Sequence, residues 1–317
     1  MPFVYNSAKG IIMSNTLDRL IGSFVGLAVG DAVGAAVEFK PRGTFPLVTD
    51  MLGGGPFRLP VGYWTDDTSM AVCLAESLLH DPNLDADDLL VRFCDWYNYG
   101  TNSSTGRCFD IGNTTVRALE QFMRKRTLEN NPESYCAGNG SIMRLAPASI
   151  LYYNDSDKAA SIAELQGKTT HASPVAIAAC SVLSKILTTC YTATDKTEIL
   201  DIEIDASIPA EISKALDKNI ANKKETEIRS TGYSAHTLEA AVWCFLTTDN
   251  FRDAVLKATN LGDDTDTVAA VTGQIAGAFY GESGIPDEWI RKLYEYDRIK
   301  QLAIQLSEKG KDTISGH

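Results

Sequence analysis

The chain has 317 residues, 44% of them hydrophobic and 22% charged, a composition ordinary for a globular protein with room for one large core. Lys and Arg number 29 against 41 Asp and Glu, and the resulting net charge of −12 speaks against a nucleic-acid backbone as partner. No apolar run reaches the roughly eighteen residues of a membrane span, and residues 1–15 lack the charged start and apolar core of a secretory leader.

Taken in chain order, helical periodicity is expected over residues 17–34, 68–80, 87–97, 113–121, 174–189, 210–218, 235–246, 251–258, 267–280 and 287–308. Gly-, Pro- and Asn-rich loops separate them at 40–63, 100–112, 130–140 and 225–232. Alternating β-branched runs are nearly absent, and no repeat of solenoid length is visible. The expected fold is all-α. Residues 15–306 are expected as one domain, between a flexible extension at 1–14 and a flexible polar tail at 307–317. Seven cysteines, at 73, 94, 108, 136, 180, 190 and 244, form no CxxC pair and read as reduced core thiols of a cytoplasmic protein, not as zinc ligands.

Glycines in two of these helices fall four residues apart: Gly22, Gly26, Gly30 and Gly34 in one, Gly273, Gly277 and Gly281 in the other. Residues at that spacing share one helix ridge. Each glycine costs about 1 kcal/mol against alanine inside a helix, and close helix–helix approach is the natural offset. The two helices are therefore expected at the centre of the fold, against each other. That pairing would carry Glu38, just past the first helix, towards Asp264 and Asp266.

Two acidic strings are the strongest chemical signal. Trp64-Thr65-Asp66-Asp67-Thr68 and Gly262-Asp263-Asp264-Thr265-Asp266-Thr267 lie about two hundred residues apart, and each opens a helix. One such string alone reads as a helix cap, because Thr and Asp accept from free backbone N–H groups and Asp suits the dipole. Two together read as halves of one oxygen-lined site. Carboxylate and hydroxyl oxygens without His or Cys are the donor set of hard cations such as Mg²⁺ or Mn²⁺.

The ordered set of motifs resembles the ADP-ribosylglycohydrolase family. The resemblance spans residues 17–298. It rests on Gly30-Asp31-Ala32-Val33-Gly34 with Glu38-Phe39, then Trp64 to Thr68, Phe109-Asp110-Ile111-Gly112-Asn113-Thr114, Gly138-Asn139-Gly140-Ser141-Ile142-Met143-Arg144, Thr170-His171, and Gly262 to Thr267. It implies a single compact orthogonal helical domain with a binuclear Mg²⁺ or Mn²⁺ centre. Carried over by motif, the metal ligands are Thr65, Asp66, Asp67, Asp264, Asp266 and Thr267. Asp263 is left out, because glycine is also common at its position. Glu38 is implied as the carboxylate that activates or orients water. Asp110 is implied to act on the ribose or the leaving group, and an N-cap is its plain alternative. The turn Gly138-Asn139-Gly140-Ser141 is assigned to the diphosphate of ADP-ribose, with Arg144 assisting it or pairing with an acidic loop, and His171 as a ligand contact. Tyr233 and His236 are candidates for the adenosine end, and Asp31 for a supporting role behind the metals.

The implied reaction removes ADP-ribose from a protein side chain, most simply arginine, in a monomeric enzyme whose partners are the modified protein and ADP-ribose. Hydrolysis of serine- or other O-linked ADP-ribose, a binuclear-metal phosphatase, and a non-catalytic ADP-ribose-binding module stand as the alternatives.

Overall fold

The computed structural model describes residues 3–125, 137–205 and 207–315, with side chains described from Asn15 to Lys311. Thirteen α-helices appear among the described residues: α1 Phe3–Gly34, α2 Asp66–His80, α3 Ala86–Tyr99, α4 Asn113–Lys125, α5 Ala146–Leu151, α6 Ser156–Lys168, α7 Pro174–Cys190, α8 Ala210–Ser213, α9 Ser234–Leu246, α10 Phe251–Thr259, α11 Thr265–Tyr280, α12 Asp287–Lys292 and α13 Tyr296–Ser315. Extended pairing among these residues is limited to two isolated bridges, Gly54 with Leu59 and Gly138 with Tyr233. The expected all-α class holds.

The axis of the molecule is the α1–α11 pair. A methyl group placed on Gly22 would lie 2.5 Å from the Gly277 carbonyl oxygen, and one on Gly34 would lie 2.5 Å from the Asp266 Cα. Gly26 and Gly30 meet the backbone at Gly273 and Ala269 in the same way. Small residues let the two backbones touch, so the glycine spacing reports a real packing seam. The other faces of the pair are apolar: Phe24, Leu27, Val268, Val271 and Ile275 are fully buried. Helices α9 and α10 pack on α11, and α2, α5 and α13 on α1.

The structure differs from the sequence expectations in three places. Helix α1 starts at Phe3, well before residue 17. The single helix expected over 287–308 is two, α12 and α13. Between them, Tyr294 N–H donates to the Gly62 carbonyl (3.0 Å) and the Trp64 indole N–H donates to the Tyr294 carbonyl (3.0 Å), drawing the chain out of the helix. Helix α13 then runs through the start of the expected tail. Ser307 is buried there, and Gly310 lies so close to the Leu151 carbonyl that a side chain would collide with it. Six of the cysteines are free thiols, all buried except half-exposed Cys108; Cys136 lies outside the described residues.

Candidate active site

The C-terminal end of α1 meets the N-terminal ends of both α2 and α11. Neither start is capped by its own N-cap side chain. For α2 the cap comes from α1: Asp31 Oδ1 accepts from the Thr65 backbone N–H (2.8 Å) and hydroxyl (2.9 Å), and Oδ2 from the Thr68 N–H (3.0 Å) and hydroxyl (2.6 Å). Burial lifts the Asp31 pKa to about 6, and these four donors pull against that shift. For α11, the Thr265 hydroxyl donates to the Gly34 carbonyl (2.7 Å). Two helix N-termini thereby aim their partial positive charge at one point.

Carboxylates converge at that point. Oxygens of Glu38, Asp110 and Asp266 lie within 4.8 Å of one another, and so do those of Asp66, Asp67 and Asp266. The two triads share Asp266. The Thr65 hydroxyl lies 3.3 Å from both Asp67 Oδ2 and Asp266 Oδ2, and the Thr267 hydroxyl 3.4 Å from Asp67 Oδ2. Asp264 is held at the edge by the Asn139 amide, which donates to its Oδ2 (2.6 Å) and to the Thr237 hydroxyl (2.9 Å). The acidic strings are therefore helix starts and cluster members at once.

Electrostatics says the cluster is incomplete as protein alone. Burial, followed by the charge of Asp110, lifts Glu38 to about 11. Burial lifts Asp110 to about 7, against hydrogen bonding with Asp266 and Glu38. Asp66, Asp67 and Asp266 are pushed well up, first by burial and then by their neighbours Asp110, Asp31 and Glu38 respectively. Four buried carboxylate oxygens, Glu38 Oε2, Asp67 Oδ1, Asp110 Oδ2 and Asp266 Oδ1, have no hydrogen-bond partner among the described residues. Buried unpaired acceptors are costly, and oxygen-only donors at this spacing are what a hard divalent cation uses. The residues present fit such an ion.

The cluster floors a cavity of about 830 Å³ whose wall, among the described residues, contains no Lys or Arg. Glu38, Asp66, Asp110, Asp264, Asp266 and Thr267 face it, whereas Thr65 and Asp67 lie beneath, fully buried. The opposite wall carries Gly138, Asn139, Gly140 and His171. Neither glycine has a left-handed backbone; a Cβ on Gly140 would lie 2.7 Å from His171 Cε1, and one on Gly138 3.3 Å from its Nε2. These glycines make room for the histidine ring. The turn opens only the three-residue 3₁₀ segment Asn139–Ser141, and the Asn139 N–H is already given to the Gly232 carbonyl (3.0 Å). Ser141 is buried behind this wall and does not face the cavity.

Other expected residues also fall elsewhere. Arg144 is fully buried, donating to Gln166 Oε1 (2.8 Å) and to the Thr170 hydroxyl (2.8 Å), with Phe93 against its guanidinium. Among the described residues it pairs with no acidic loop, and it does not line the cavity. Tyr233 and His236 meet edge to face beside the rim residue Thr231, outside the cavity wall. Asp263 has φ 61, a left-handed backbone that glycine adopts freely, and its backbone is tied to Lys40 and Phe39.

Comparison with known proteins meets this geometry. The family model described as ADP-ribosylglycohydrolase matches residues 13–314. The chain belongs to the ADP-ribosylglycohydrolase family. It is 46% identical over 294 residues to the ADP-ribosylarginine hydrolase Tri1 of Serratia proteamaculans, covering 92% of this chain and 80% of that protein. It is 31% identical to the ADP-ribosyl-[dinitrogen reductase] glycohydrolase of Rhodospirillum rubrum, over 87% of this chain and 90% of the relative. A solved structure described as an ADP-ribosylglycohydrolase-related protein complex superimposes with a TM-score of 0.83 at 38% identity, covering 94% of this chain and 99% of that one. Membership at these identities, across nearly the whole chain, makes the protein a glycohydrolase.

One wall residue of this glycohydrolase belongs to a quoted motif but carries no role in the sequence reading. Phe39 lines the mouth, 62% exposed and with a left-handed backbone (φ 64). It makes an edge contact with Phe57 (6.4 Å between centroids), which in turn packs on Phe109 (5.1 Å). The aromatic adjoining Glu38 was the available signal.

Proposed function

We propose that this protein hydrolyses the N-glycosidic bond joining C1 of ADP-ribose to an arginine side chain of a modified protein, and that two divalent cations, Mg²⁺ or Mn²⁺, serve the reaction. The observation that carries the reading is the pair of carboxylate triads sharing Asp266 at the floor of a cavity large enough for a nucleotide. The arginine linkage is supported by the names of the Serratia and Rhodospirillum relatives.

Asp66, Asp67, Asp266, Asp264, Thr65 and Thr267 would hold the cations, with Glu38 and Asp110 beside them. When bound, such ions neutralise the carboxylates, fix adjacent sugar hydroxyls and acidify water. Cleavage at C1 passes through an oxocarbenium-like state. Glu38, aimed into the cavity, would be ionised once cations neutralise its acidic neighbours; its Oε2 then stabilises that positive charge and takes the proton of the attacking water. Asp110, in the cavity wall beside Glu38, gives a proton from Oδ2 to the departing guanidine nitrogen. The buried floor excludes bulk water from both transfers.

The test is release of free ADP-ribose from arginine-linked and serine-linked mono-ADP-ribosylated peptides, with Mg²⁺ or Mn²⁺ and with EDTA. Metal-dependent release from the arginine peptide, lost in Asp266→Asn, is expected. Release from the serine peptide alone would overturn the linkage. Binding of ADP-ribose without release from either would replace the enzyme reading by a binding module.

A further inference from the structure

Behind the wall facing the acidic floor runs a chain of three buried side chains. Arg144 Nη2 donates to the Thr170 hydroxyl oxygen (2.8 Å), and that oxygen lies 2.8 Å from His171 Nδ1. All three residues are at most 6% exposed. A guanidinium has donors only, so the hydroxyl oxygen must accept from Arg144. The hydroxyl has one proton to give, and His171 Nδ1 is the other described atom within its reach. Were Nδ1 protonated instead, the Thr170 hydroxyl proton would be stranded in a dry place. The chain of donors thus runs one way: guanidinium to hydroxyl, hydroxyl to Nδ1. Imidazole carries its remaining proton on Nε2. Nε2 is the atom over Gly138 and Gly140, at the cavity wall, and it makes no hydrogen bond to a described residue.

We infer that Arg144 and Thr170 are positioning residues that lock His171 in its Nε2–H tautomer, presenting one neutral hydrogen-bond donor to an anionic phosphate oxygen of the ligand. This rests on the ADP-ribose reading of the cavity. A neutral donor suits the place. A cationic side chain opposite so many carboxylates would be drawn across to pair with them, whereas a fixed N–H discriminates for an acceptor without adding charge. Burial and the nearby Arg144 charge also push His171 down to about 3, so it stays neutral throughout the physiological range. The glycines at 138 and 140 are part of the device, because a side chain at either would displace the ring edge that carries the proton.

The test is the ring ¹⁵N spectrum of histidine-labelled full-length protein with Mg²⁺, for wild type, Thr170→Val and Thr170→Ser. The expected wild-type spectrum shows Nδ1 bare and Nε2 protonated, with Nε2 shifting on addition of ADP-ribose. Thr170→Val is expected to mix the tautomers and to weaken ADP-ribose binding by about threefold to tenfold. Thr170→Ser, which keeps the hydroxyl, is expected to restore both. A wild-type spectrum with Nδ1 protonated overturns the inference without reference to any variant, should Thr170→Val not fold. So does a valine variant unchanged in both spectrum and affinity. Binding of ADP-ribose that leaves His171 Nε2 unmoved overturns the donor role alone. A protonated Nε2 with no ADP-ribose binding at all removes instead the reading of the cavity.

Discussion

Gly30→Ala tests the central seam and its consequence for the site together. A Cβ at position 30 would lie 2.1 Å from the Ala269 carbonyl oxygen, 2.6 Å from its carbon and 2.9 Å from the Ala270 Cα, all backbone atoms that cannot rotate away. Non-bonded heavy atoms pack at about 3.2–3.5 Å, so α1 and α11 must part by roughly 1 Å. Alanine regains about 1 kcal/mol of helix propensity. Overpacking costs typically about 1–3 kcal/mol, and a backbone-on-backbone clash belongs at the upper end. The expected net loss is about 2 kcal/mol, read as a lower urea midpoint at unchanged slope. Activity should fall further than stability implies. Asp31 follows on α1 and caps α2, whose first turn carries Asp66 and Asp67, and Asp266 sits on the partner helix. Displacing one by nearly 1 Å against the other costs on the order of a hundredfold in a positioned reaction. Gly112→Ala is the stability control, since nothing lies within 4 Å of a Cβ there. A Gly30→Ala protein with unchanged midpoint and full activity would refute the argument that the seam sets the site.

Three further outcomes are expected. In EDTA, stability should fall as pH rises from about 4 to 7. Asp110 goes from its ordinary 3.8 up to about 7 on folding, so across that window the folded protein keeps a proton the unfolded chain has lost. Mg²⁺ favours the ionised cluster, so its stabilising shift in melting temperature should grow over the same window; an EDTA curve rising with pH would contradict the assignment. Asp31→Asn puts an amide NH₂ where one oxygen accepts two donors, and a loss of about 2–6 kcal/mol in denaturant unfolding is expected. An unchanged midpoint would show that α2 does not depend on this cap. Phe39→Gly relieves a left-handed backbone, an ordering worth about 1 kcal/mol, and should melt no lower than wild type while turning over arginine-linked peptide more slowly. A clear drop in melting temperature would make Phe39 a packing residue instead.

What the sequence determined by itself was local or periodic. Four-residue glycine spacing announced the α1–α11 seam, because removing Cβ atoms along one ridge has few uses other than contact. Two strings of Asp and Thr announced a hard-oxygen cluster, because like charges at that density need a common counterion. Helices α5 and α6 went unread: the first is too short to show a period, and the second begins in a polar run that reads as loop. Tertiary structure alone decided who serves whom. Asp31 caps a helix 34 positions on, and Asn139 holds Asp264 across 125 positions, where no periodicity links them. Arg144, read as assisting an anion or pairing with an acidic loop, turned inward to feed Thr170 and His171, since a buried guanidinium takes whatever acceptors the fold brings to it. The break between α12 and α13 carries no proline or glycine, and exists because Gly62 and Trp64 compete successfully for the Tyr294 backbone. Residue type fixes which chemistry is available, and only the converged chain fixes which donor meets which acceptor.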